Sequence, residues 1–303
     1  MKNSTKWFLA IVAFLILFVA GFALIAFVIT STFPADSTEQ VVFGSGEKIG
    51  VVEVSGIIRS AAETNRQIKE YAEDGSIRAI LIRVDSPGGG VVASQEMYER
   101  IRKTRDDGKP VVVSMGSMAA SGGYYISCGA TRIVANRGTL TGSIGVIAEF
   151  LQLGEALDKL GVGVKIVKSG RLKDAGTPTR SMTREDEAYF QSLMDDMHRQ
   201  FAGVVSKERS LDPATVWSLA DGRVFTGEQA LAEGLVDTIG TYEDAVRIAA
   251  MLGGIQGEPA LVKERKRKSW WEGVTGEALQ TVVDLKSEVL DRPVLSYRFV
   301  GPY

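Results

Sequence analysis

The stretch from Ile77 to Val84 constrains the fold of this chain more than any other, because it is dominated by apolar and β-branched residues. Such a run is typical of a strand that is buried on both faces of a parallel sheet. Four shorter runs of the same kind are predicted to be strands as well: 49–54, 111–113, 131–135 and 162–167. Stretches with helical periodicity separate these runs. The alternation predicts βαβ units and therefore an α/β fold with a parallel sheet covered on both faces.

The predicted helices lie between these strands. The longest is expected to begin at Thr183, because Thr183 and Asp186 have the spacing of a capping box, with Asp in the place of the usual Glu or Gln. The predicted helices span residues 63–73, 91–105, 124–130, 151–160, 183–209 and 242–252. The glycine-rich segments 85–90, 136–145 and 168–178 are predicted to be loops.

A long apolar run from Trp7 to Thr30 precedes the predicted α/β domain. It is long enough to cross a bilayer, which takes about 20 residues of helix. Lys2 and Lys6 precede it and place residues 1–6 in the cytoplasm. A cleaved signal peptide is the alternative interpretation. We therefore expect a transmembrane anchor at 7–30, a linker at 31–48 and a globular domain at 49–252 outside the cell.

The composition changes in the tail, residues 253–303. A basic and aromatic stretch at 263–271 is followed by apolar residues at helical spacing in 275–290. The pattern indicates a helix that lies on a membrane surface or contacts another subunit. An amphipathic helix packed on its own domain is an equally good interpretation, so the role of the tail stays open at this stage.

The counts of histidine and cysteine restrict the possible chemistry. The chain has a net charge of −2, so no overall positive field favours nucleic acid. Its single cysteine, Cys128, excludes an intrachain disulfide and a site with several cysteines, and is predicted to be a buried structural thiol. The single histidine, His198, lies in a polar helical stretch and is predicted to be a solvated surface residue. A histidine-based triad is therefore not favoured.

The segment around Ser121 has the features of a nucleophile site. Small residues from Ser114 to Gly123 follow the predicted strand 111–113 and lead into the predicted helix 124–130. A serine at such a junction presents its hydroxyl at a sharp bend, beside free backbone N–H groups and the positive end of a helix. A tight, closely packed turn without catalytic function is the competing interpretation.

A serine nucleophile needs a base, and the scarcity of histidine points to lysine. Lys173 lies in a glycine-rich loop and not in a helical charge pattern. A lysine accepts a proton only in its neutral form, and Asp174 beside it could instead keep it charged. The N–H of Gly122 is a candidate oxyanion donor, and the loop 85–90 could supply a second one or be a plain connection. Ser143 is a candidate for holding the lysine amine.

Five motifs in this order resemble the signal peptide peptidase A (SppA) family of membrane-anchored serine peptidases. They are Asp85-Ser-Pro-Gly-Gly, Ser114-Met-Gly with Ala119-Ala-Ser-Gly-Gly-Tyr-Tyr, Leu140-Thr-Gly-Ser-Ile-Gly-Val, Lys168-Ser-Gly with Lys173-Asp-Ala-Gly, and Gly222-Arg-Val-Phe-Thr-Gly with Gly234-Leu-Val-Asp. The resemblance covers residues 50–252. It implies a ClpP/crotonase-type spiral of ββα units within the α/β class, and its short length is similar to the Gram-positive and archaeal forms.

The resemblance also implies a role for each matching residue. Ser121 matches the nucleophile, Lys173 the general base, Gly88 and Gly122 the oxyanion donors, and Ser143 a hydroxyl that orients the lysine. It implies a cell-membrane endopeptidase that needs no cofactor or metal and degrades remnant signal peptides and other short apolar peptides. Family members of this form assemble into rings, octameric in the short form, in which the serine and lysine of one site can come from neighbouring subunits.

Two functions of other classes remain as alternatives. A non-catalytic membrane scaffold with the same fold would bind peptides or partner proteins without cutting them. An acyl-CoA enzyme of the crotonase type is the second alternative, although a domain outside the membrane would not meet cytoplasmic CoA thioesters. Reaction with a serine-directed probe distinguishes the peptidase from the scaffold, because a scaffold would not react.

Overall fold

The computed structural model describes Gly21, residues 38–266 and residues 295–299. Apart from Gly21, the predicted membrane segment 7–30 lies outside the described residues, and so does the predicted helix 275–290. Within the described part, none of the helices combines the length and apolarity needed to cross a bilayer. Contacts divide the chain into two units, of which one comprises residues 42–263 and 291–303. The sites described below belong to this unit.

The strands form one large sheet and one small sheet. They are β1 (Thr38–Phe43), β2 (Lys48–Ser55), β3 (Ile77–Ser86), β4 (Gly88–Gly90), β5 (Val111–Ala120), β6 (Arg132–Ala135), β7 (Leu140–Gly142), β8 (Ile147–Ala148), β9 (Val224–Thr226), β10 (Thr238–Ile239), β11 (Ala260–Lys266) and β12 (Leu295–Arg298). The large sheet has the order β1-β11-β2-β3-β5-β6-β10, and β7 joins β5 and β9. The small sheet has the order β4-β12-β8.

The helices connect and cover the strands. They are α1 (Ala62–Glu73), α2 (Val91–Asp106), α3 (Gly122–Ser127), α4 (Gly154–Lys159), α5 (Arg184–Arg209), α6 (Pro213–Leu219), α7 (Gly227–Ala232) and α8 (Tyr242–Leu252). The predicted capping box at the start of α5 is confirmed, because Thr183 Oγ1 accepts the Asp186 N–H and the Asp186 carboxylate accepts the Thr183 N–H. Both of these backbone N–H groups therefore have acceptors, which explains why this long helix begins where it does.

The predicted parallel sheet with two covered faces is confirmed. Strand β3 pairs in parallel with β2 and with β5. Alternate residues of β3 enter different clusters, because Ile80 and Ile82 pack with the cluster that includes residues of α1, α2 and α5, whereas Ala79 and Leu81 pack with residues of α8. All four side chains are fully buried. Burial on both faces is why this strand reads as a nearly unbroken apolar run.

Four local predictions need correction. The strand predicted at 111–113 extends to Ala120, because its second half pairs with β7 and the Asp85 carboxylate accepts the Met118 N–H at 3.0 Å. The loop predicted at 85–90 contains strand β4, which pairs with β12, and the loop predicted at 136–145 contains strand β7, which pairs with β5 and β9. The strand predicted at 162–167 is wrong. Its apolar side chains are exposed, Val167 by 90%, and no described strand pairs with it.

One partly buried ion pair ties the end of α5 to the sheet. Asp237 accepts the Ile133 N–H at 2.6 Å and pairs with Arg209 at 3.0 Å, and the Arg209 side chain is only 11% exposed. Removing the carboxylate would leave a largely shielded guanidinium without its charge partner, while its Nε still donates to the Gly234 carbonyl. We expect Asp237→Ala to lower the free energy of unfolding by about 3 kcal/mol, measured by urea denaturation.

A matched control is available for this prediction. Asp221 pairs with Arg223 on the surface, where both side chains are about half exposed. Solvent screens such a pair, so Asp221→Ala should change the urea midpoint far less. Equal effects of the two substitutions would contradict the importance assigned to burial of the Arg209 pair.

Candidate active site

Ser121 lies between the end of β5 and the start of α3. Its φ of 53° and ψ of −114° are unusual for a residue with a side chain. Its N–H donates to the Gly142 carbonyl at 2.7 Å, and its carbonyl accepts the Tyr125 N–H at 2.8 Å. These two hydrogen bonds hold the bend from either side. Backbone strain of this kind persists where the surrounding structure fixes it, and it is common at active sites.

The Ser121 hydroxyl is buried and has no hydrogen bond. The residue is 1% exposed, and its Oγ has no partner among the described residues. Buried hydroxyls are normally paired, so an unpaired one calls for an explanation. One explanation is that a reacting group binds beside this strained serine, at the N-terminus of a helix.

Glycines allow the chain to pass closely around this serine. A Cβ at Gly122 would lie 2.6 Å from Ser94 Oγ and 3.1 Å from the Gly89 nitrogen. A Cβ at Gly123 would lie 2.9 Å from the Ser86 carbonyl oxygen. The start of α3 therefore packs directly on the segment after β3, and side chains at these positions would separate the two.

The register of β5 and β7 brings Ser143 beside Ser121. The parallel pairing joins Ala120 to Gly142, and the residue that follows each of these strands is a serine. Ser143 also has a positive φ, 51°, and it is buried. Its N–H donates to the Arg223 carbonyl at 2.8 Å. Two serines in strained conformations thus terminate adjacent strands.

Gly88 lies next to Gly122. It has a φ of 98°, and a Cβ placed on it would lie 2.6 Å from the Gly122 nitrogen. The Gly88 N–H donates to Ser86 Oγ at 3.0 Å, and the Ser86 hydroxyl donates to the Gly56 carbonyl at 2.6 Å. The structure therefore brings these two glycines together, and in this state the Gly88 N–H has an acceptor within its own loop.

Lys173 is not joined to Ser121 within the chain. Lys173 is exposed, and its Nζ makes no hydrogen bond or ion pair with any described residue. The sequence left open a pairing with Asp174, but Asp174 pairs with Lys168 and with Arg180 instead. Hydrogen bonds from Arg180 and Lys168 hold the pKa of the Asp174 carboxyl well below its usual range. Lys173 is thus exposed on a loop that is held in place by the ion pairs of Asp174 with Lys168 and Arg180.

Two buried serines of this region escaped sequence reasoning. Ser94, in the first turn of α2, is fully buried, and its Oγ has no hydrogen-bond partner among the described residues. Ser86, the last residue of β3, is buried as well and binds the Gly88 N–H. A serine on the apolar face of a predicted helix was the only available signal for Ser94, and it does not by itself indicate a site.

The remaining singled-out side chains lie elsewhere in the structure. His198 was predicted to be a solvated surface residue, which is wrong in one respect. It is half-buried, with its ring edge-on to Trp217 at 5.0 Å between centroids. Among the described residues, no group of three or more His, Cys, Asp or Glu side chains is arranged to hold a metal ion.

The predicted burial of Cys128 is confirmed, and it has a chemical consequence. Burial raises the pKa of the Cys128 thiol to about 12. Because the thiolate is the reactive form, we expect no reaction with a disulfide reagent such as DTNB at about pH 8 in the folded protein. One equivalent should react after denaturation, measured by absorbance. A rapid reaction of the folded protein would contradict the burial of this thiol.

Comparison with known proteins identifies the family. The model of peptidase family S49 matches residues 103–256. A protease candidate of Synechocystis sp. is 44% identical over 69% of this chain and 76% of its own length. The chloroplastic serine protease SPPA of Arabidopsis thaliana is 33% identical over 68% of this chain and 30% of its own length. A ClpP1 variant from Listeria monocytogenes has a TM-score of 0.44 at 17% identity, covering 64% of this chain and 93% of its own. The chain therefore belongs to peptidase family S49 and is an SppA-family serine peptidase.

Proposed function

We propose that this chain is a membrane-anchored serine endopeptidase that uses a Ser121–Lys173 dyad to degrade remnant signal peptides and other short apolar peptides. The observation that carries the proposal is the unpaired, buried Ser121 hydroxyl in a strained strand-to-helix junction. Membership of a peptidase family supports the reaction class. A non-catalytic scaffold would have no use for the strain at this position.

The reaction follows from the groups around Ser121. Neutral Lys173 takes the hydroxyl proton, and Oγ attacks the carbonyl carbon of a peptide bond. The oxygen of the tetrahedral intermediate is held by the Gly122 N–H, with the Gly88 N–H as second donor after it leaves Ser86. Lys173 then gives the proton to the leaving amine, whose C–N bond breaks. Lys173 then deprotonates a water molecule that attacks the acyl carbon, and it returns the proton to Ser121 Oγ as the bond between the acyl carbon and Oγ breaks.

The dyad forms between two copies of the chain. Among the residues that the structure describes, Lys173 Nζ has no hydrogen-bond or ion-pair partner, and Ser121 Oγ has no hydrogen bond to a base. The same region of the chain exposes apolar side chains that a neighbour would cover, among them Leu160, Val164 and Val167. Contiguous exposed apolar residues of this kind mark interaction surfaces. In this proposal Ser143, beside Ser121, holds the incoming amine, in an assembly that we take to be an octameric ring.

The location and the fold details complete the proposal. The apolar run 7–30 anchors the chain, with residues 1–6 in the cytoplasm and the peptidase domain on the other side of the membrane. Apolar peptides released from preproteins would then meet the site near the bilayer. We take the parallel sheet and its helices to be a ClpP/crotonase-type spiral, as the resemblance in the sequence implies.

Serine-directed labelling tests the proposal. We expect a fluorophosphonate probe to label the full chain once, to leave Ser121→Ala unlabelled, and to label Lys173→Ala far more slowly. Cleavage of a synthetic signal peptide should be lost in both variants, by at least about 1000-fold in kcat. Ser218→Ala, which changes an exposed serine of α6, is the control and should behave as the unaltered protein. Full activity of Ser121→Ala would refute the assignment.

A further inference from the structure

An open cavity lies on the face of the large sheet that α8 covers. Its volume is about 360 Å³, near the lower end of the range for sites that bind small molecules. Strands β3 and β5, the loops after β6 and β10, and the start of α8 form its wall. The lining includes Arg83, Met115, Ser117, Asn136, Thr139 and Tyr242. None of these residues has a role in the proposed peptidase reaction, so that reaction does not explain the cavity.

Among the described residues that line the cavity, Arg83 alone carries a charge. The side chain is half-buried, and its Nη1 donates to Ser114 Oγ at 2.8 Å and to the Met115 carbonyl at 3.0 Å. The guanidinium also lies over the Tyr242 ring, at 5.7 Å from its centroid. Its Nε and Nη2 have no acceptor in the described part of the chain. The sheet thus anchors one nitrogen of the guanidinium, and the edge with two parallel N–H groups stays available.

The carboxylates nearest to Arg83 along the strands have other partners. The register of β2 and β3 places Glu53 beside Arg83, but Lys263 Nζ binds the Glu53 carboxylate at 2.5 Å. The Asp85 carboxylate accepts the Met118 N–H at 3.0 Å. No carboxylate of the described residues forms an ion pair with Arg83. Because a charge that is partly removed from water is normally compensated, the free edge of this guanidinium indicates a place for an anion.

The chemistry of the cavity favours a carboxylate over a phosphate. The two oxygens of a carboxylate match the two parallel N–H groups on one edge of a guanidinium. One positive charge compensates a carboxylate fully, whereas a phosphate group carries about −1.5 to −2 charges near neutral pH and would stay partly uncompensated. The wall also offers the hydroxyl of Ser117, the amide of Asn136 and the ring of Tyr242. Such groups suit the body of a small organic molecule.

We propose that this cavity binds the carboxylate group of a small organic anion, which the free edge of Arg83 holds while the rest of the ligand contacts Tyr242. The site is separate from the nucleophile, because Val84 packs in the cluster that includes Tyr124 of α3, whereas Arg83 and Tyr242 meet on the other face of the sheet. The ligand that we favour is a short peptide with a free C-terminus. This choice rests on the proposed function, since each cut peptide bond leaves a new C-terminal carboxylate.

Titration with a peptide acid tests the site. N-acetyl-dialanine with a free C-terminus is added to the full chain in a non-ionic detergent, and binding is followed by calorimetry. We expect its C-terminal amide to bind about tenfold more weakly or worse, and Arg83→Gln to weaken binding of the acid by a similar factor. Arg83→Lys keeps the charge but loses the two parallel N–H groups, so it should weaken binding less. Arg132→Gln, which removes the same charge from an exposed arginine of the same sheet, is the matched control and should bind as the unaltered protein.

The outcomes separate this inference from the proposed function. Equal binding of the acid and the amide would overturn the inference, and this comparison needs no substitution in the protein. Unchanged binding of the acid to Arg83→Gln, folded by circular dichroism, would overturn it as well. Acetate that binds as tightly as N-acetyl-dialanine would refute the choice of a peptide. Because the titration involves no catalysis, a failure of Ser121 labelling would refute the proposed function alone, whereas Ser121 labelling together with binding that ignores Arg83 would refute only the inference.

Discussion

Mixing the two inactive variants Ser121→Ala and Lys173→Ala is expected to restore peptidase activity. If each site takes its serine from one subunit and its lysine from the neighbour, random assembly of equal amounts gives roughly a quarter of sites with both groups intact. The expectation follows from the burial of Ser121 and the exposure of Lys173, neither of whose side chains has a hydrogen-bond partner in the described part of the chain. The subunits would be dissociated, mixed and reassociated before cleavage of a fluorogenic peptide is measured.

Two controls make this experiment decisive. Each variant reassociated alone should stay inactive, and so should Ser121→Ala mixed with the double variant Ser121→Ala/Lys173→Ala, because no subunit then carries the serine. A mixture of the single variants that forms complexes of the original size but stays inactive would show that serine and lysine act within one chain. The loop that carries Lys173 would then have to move toward its own Ser121.

Gly88→Ala is expected to abolish activity while the protein stays folded. The new Cβ would lie 2.6 Å from the Gly122 nitrogen, so it would block the approach of an oxyanion to that donor. Loss of one oxyanion donor costs about 100- to 1000-fold in kcat, and blocking both should cost at least as much. The added methyl would also displace the Tyr297 carbonyl, which lies 2.0 Å from the same position. Steady-state kinetics with a short peptide measures the loss.

Gly108→Ala is the matched control for Gly88→Ala. Gly108 has a φ of 99°, nearly that of Gly88, but a Cβ on it would meet no atom within 4 Å. Both substitutions therefore carry a similar backbone cost, on the order of 1–2 kcal/mol, and only one crowds the site. Gly88→Ala should be the less stable of the two because its Cβ also meets backbone atoms, but both variants are expected to stay folded, with activity lost in Gly88→Ala alone. Retained activity in Gly88→Ala would remove this glycine from the proposed mechanism.

The buried framework was predictable because its signals are local. The run at Ile77–Val84 is apolar since both of its faces are covered, and Thr183 with Asp186 carries a complete helix-start signal. The extension of β5 to Ala120 was not predictable in this way. It depends on pairing with β7 and on the Asp85 carboxylate, which are contacts between distant parts of the chain.

The candidate site was predictable in its residues and not in its arrangement. Ser121, Ser143 and Gly88 each stand out by residue type in a glycine-rich context. Their proximity depends on the register of β5 and β7 and on the close packing of Gly88 against Gly122. Strand β12 gave no signal, because a short stretch such as Leu-Ser-Tyr-Arg has no periodicity to recognise. The prediction of a strand at 162–167 failed for a different reason. Its β-branched residues favour a strand, but a strand forms only where the edge of another strand is available for pairing.

The separation of Ser121 from Lys173 has a consequence for newly made chains. A protein that cuts unfolded segments endangers every polypeptide emerging beside it during synthesis. If the proposed dyad forms only between copies, a chain with Ser121 at the end of a strand and Lys173 exposed to solvent is harmless until copies meet. Assembly then serves the purpose that removal of a pro-segment serves in a zymogen, and the local density of copies sets the threshold at which proteolysis begins.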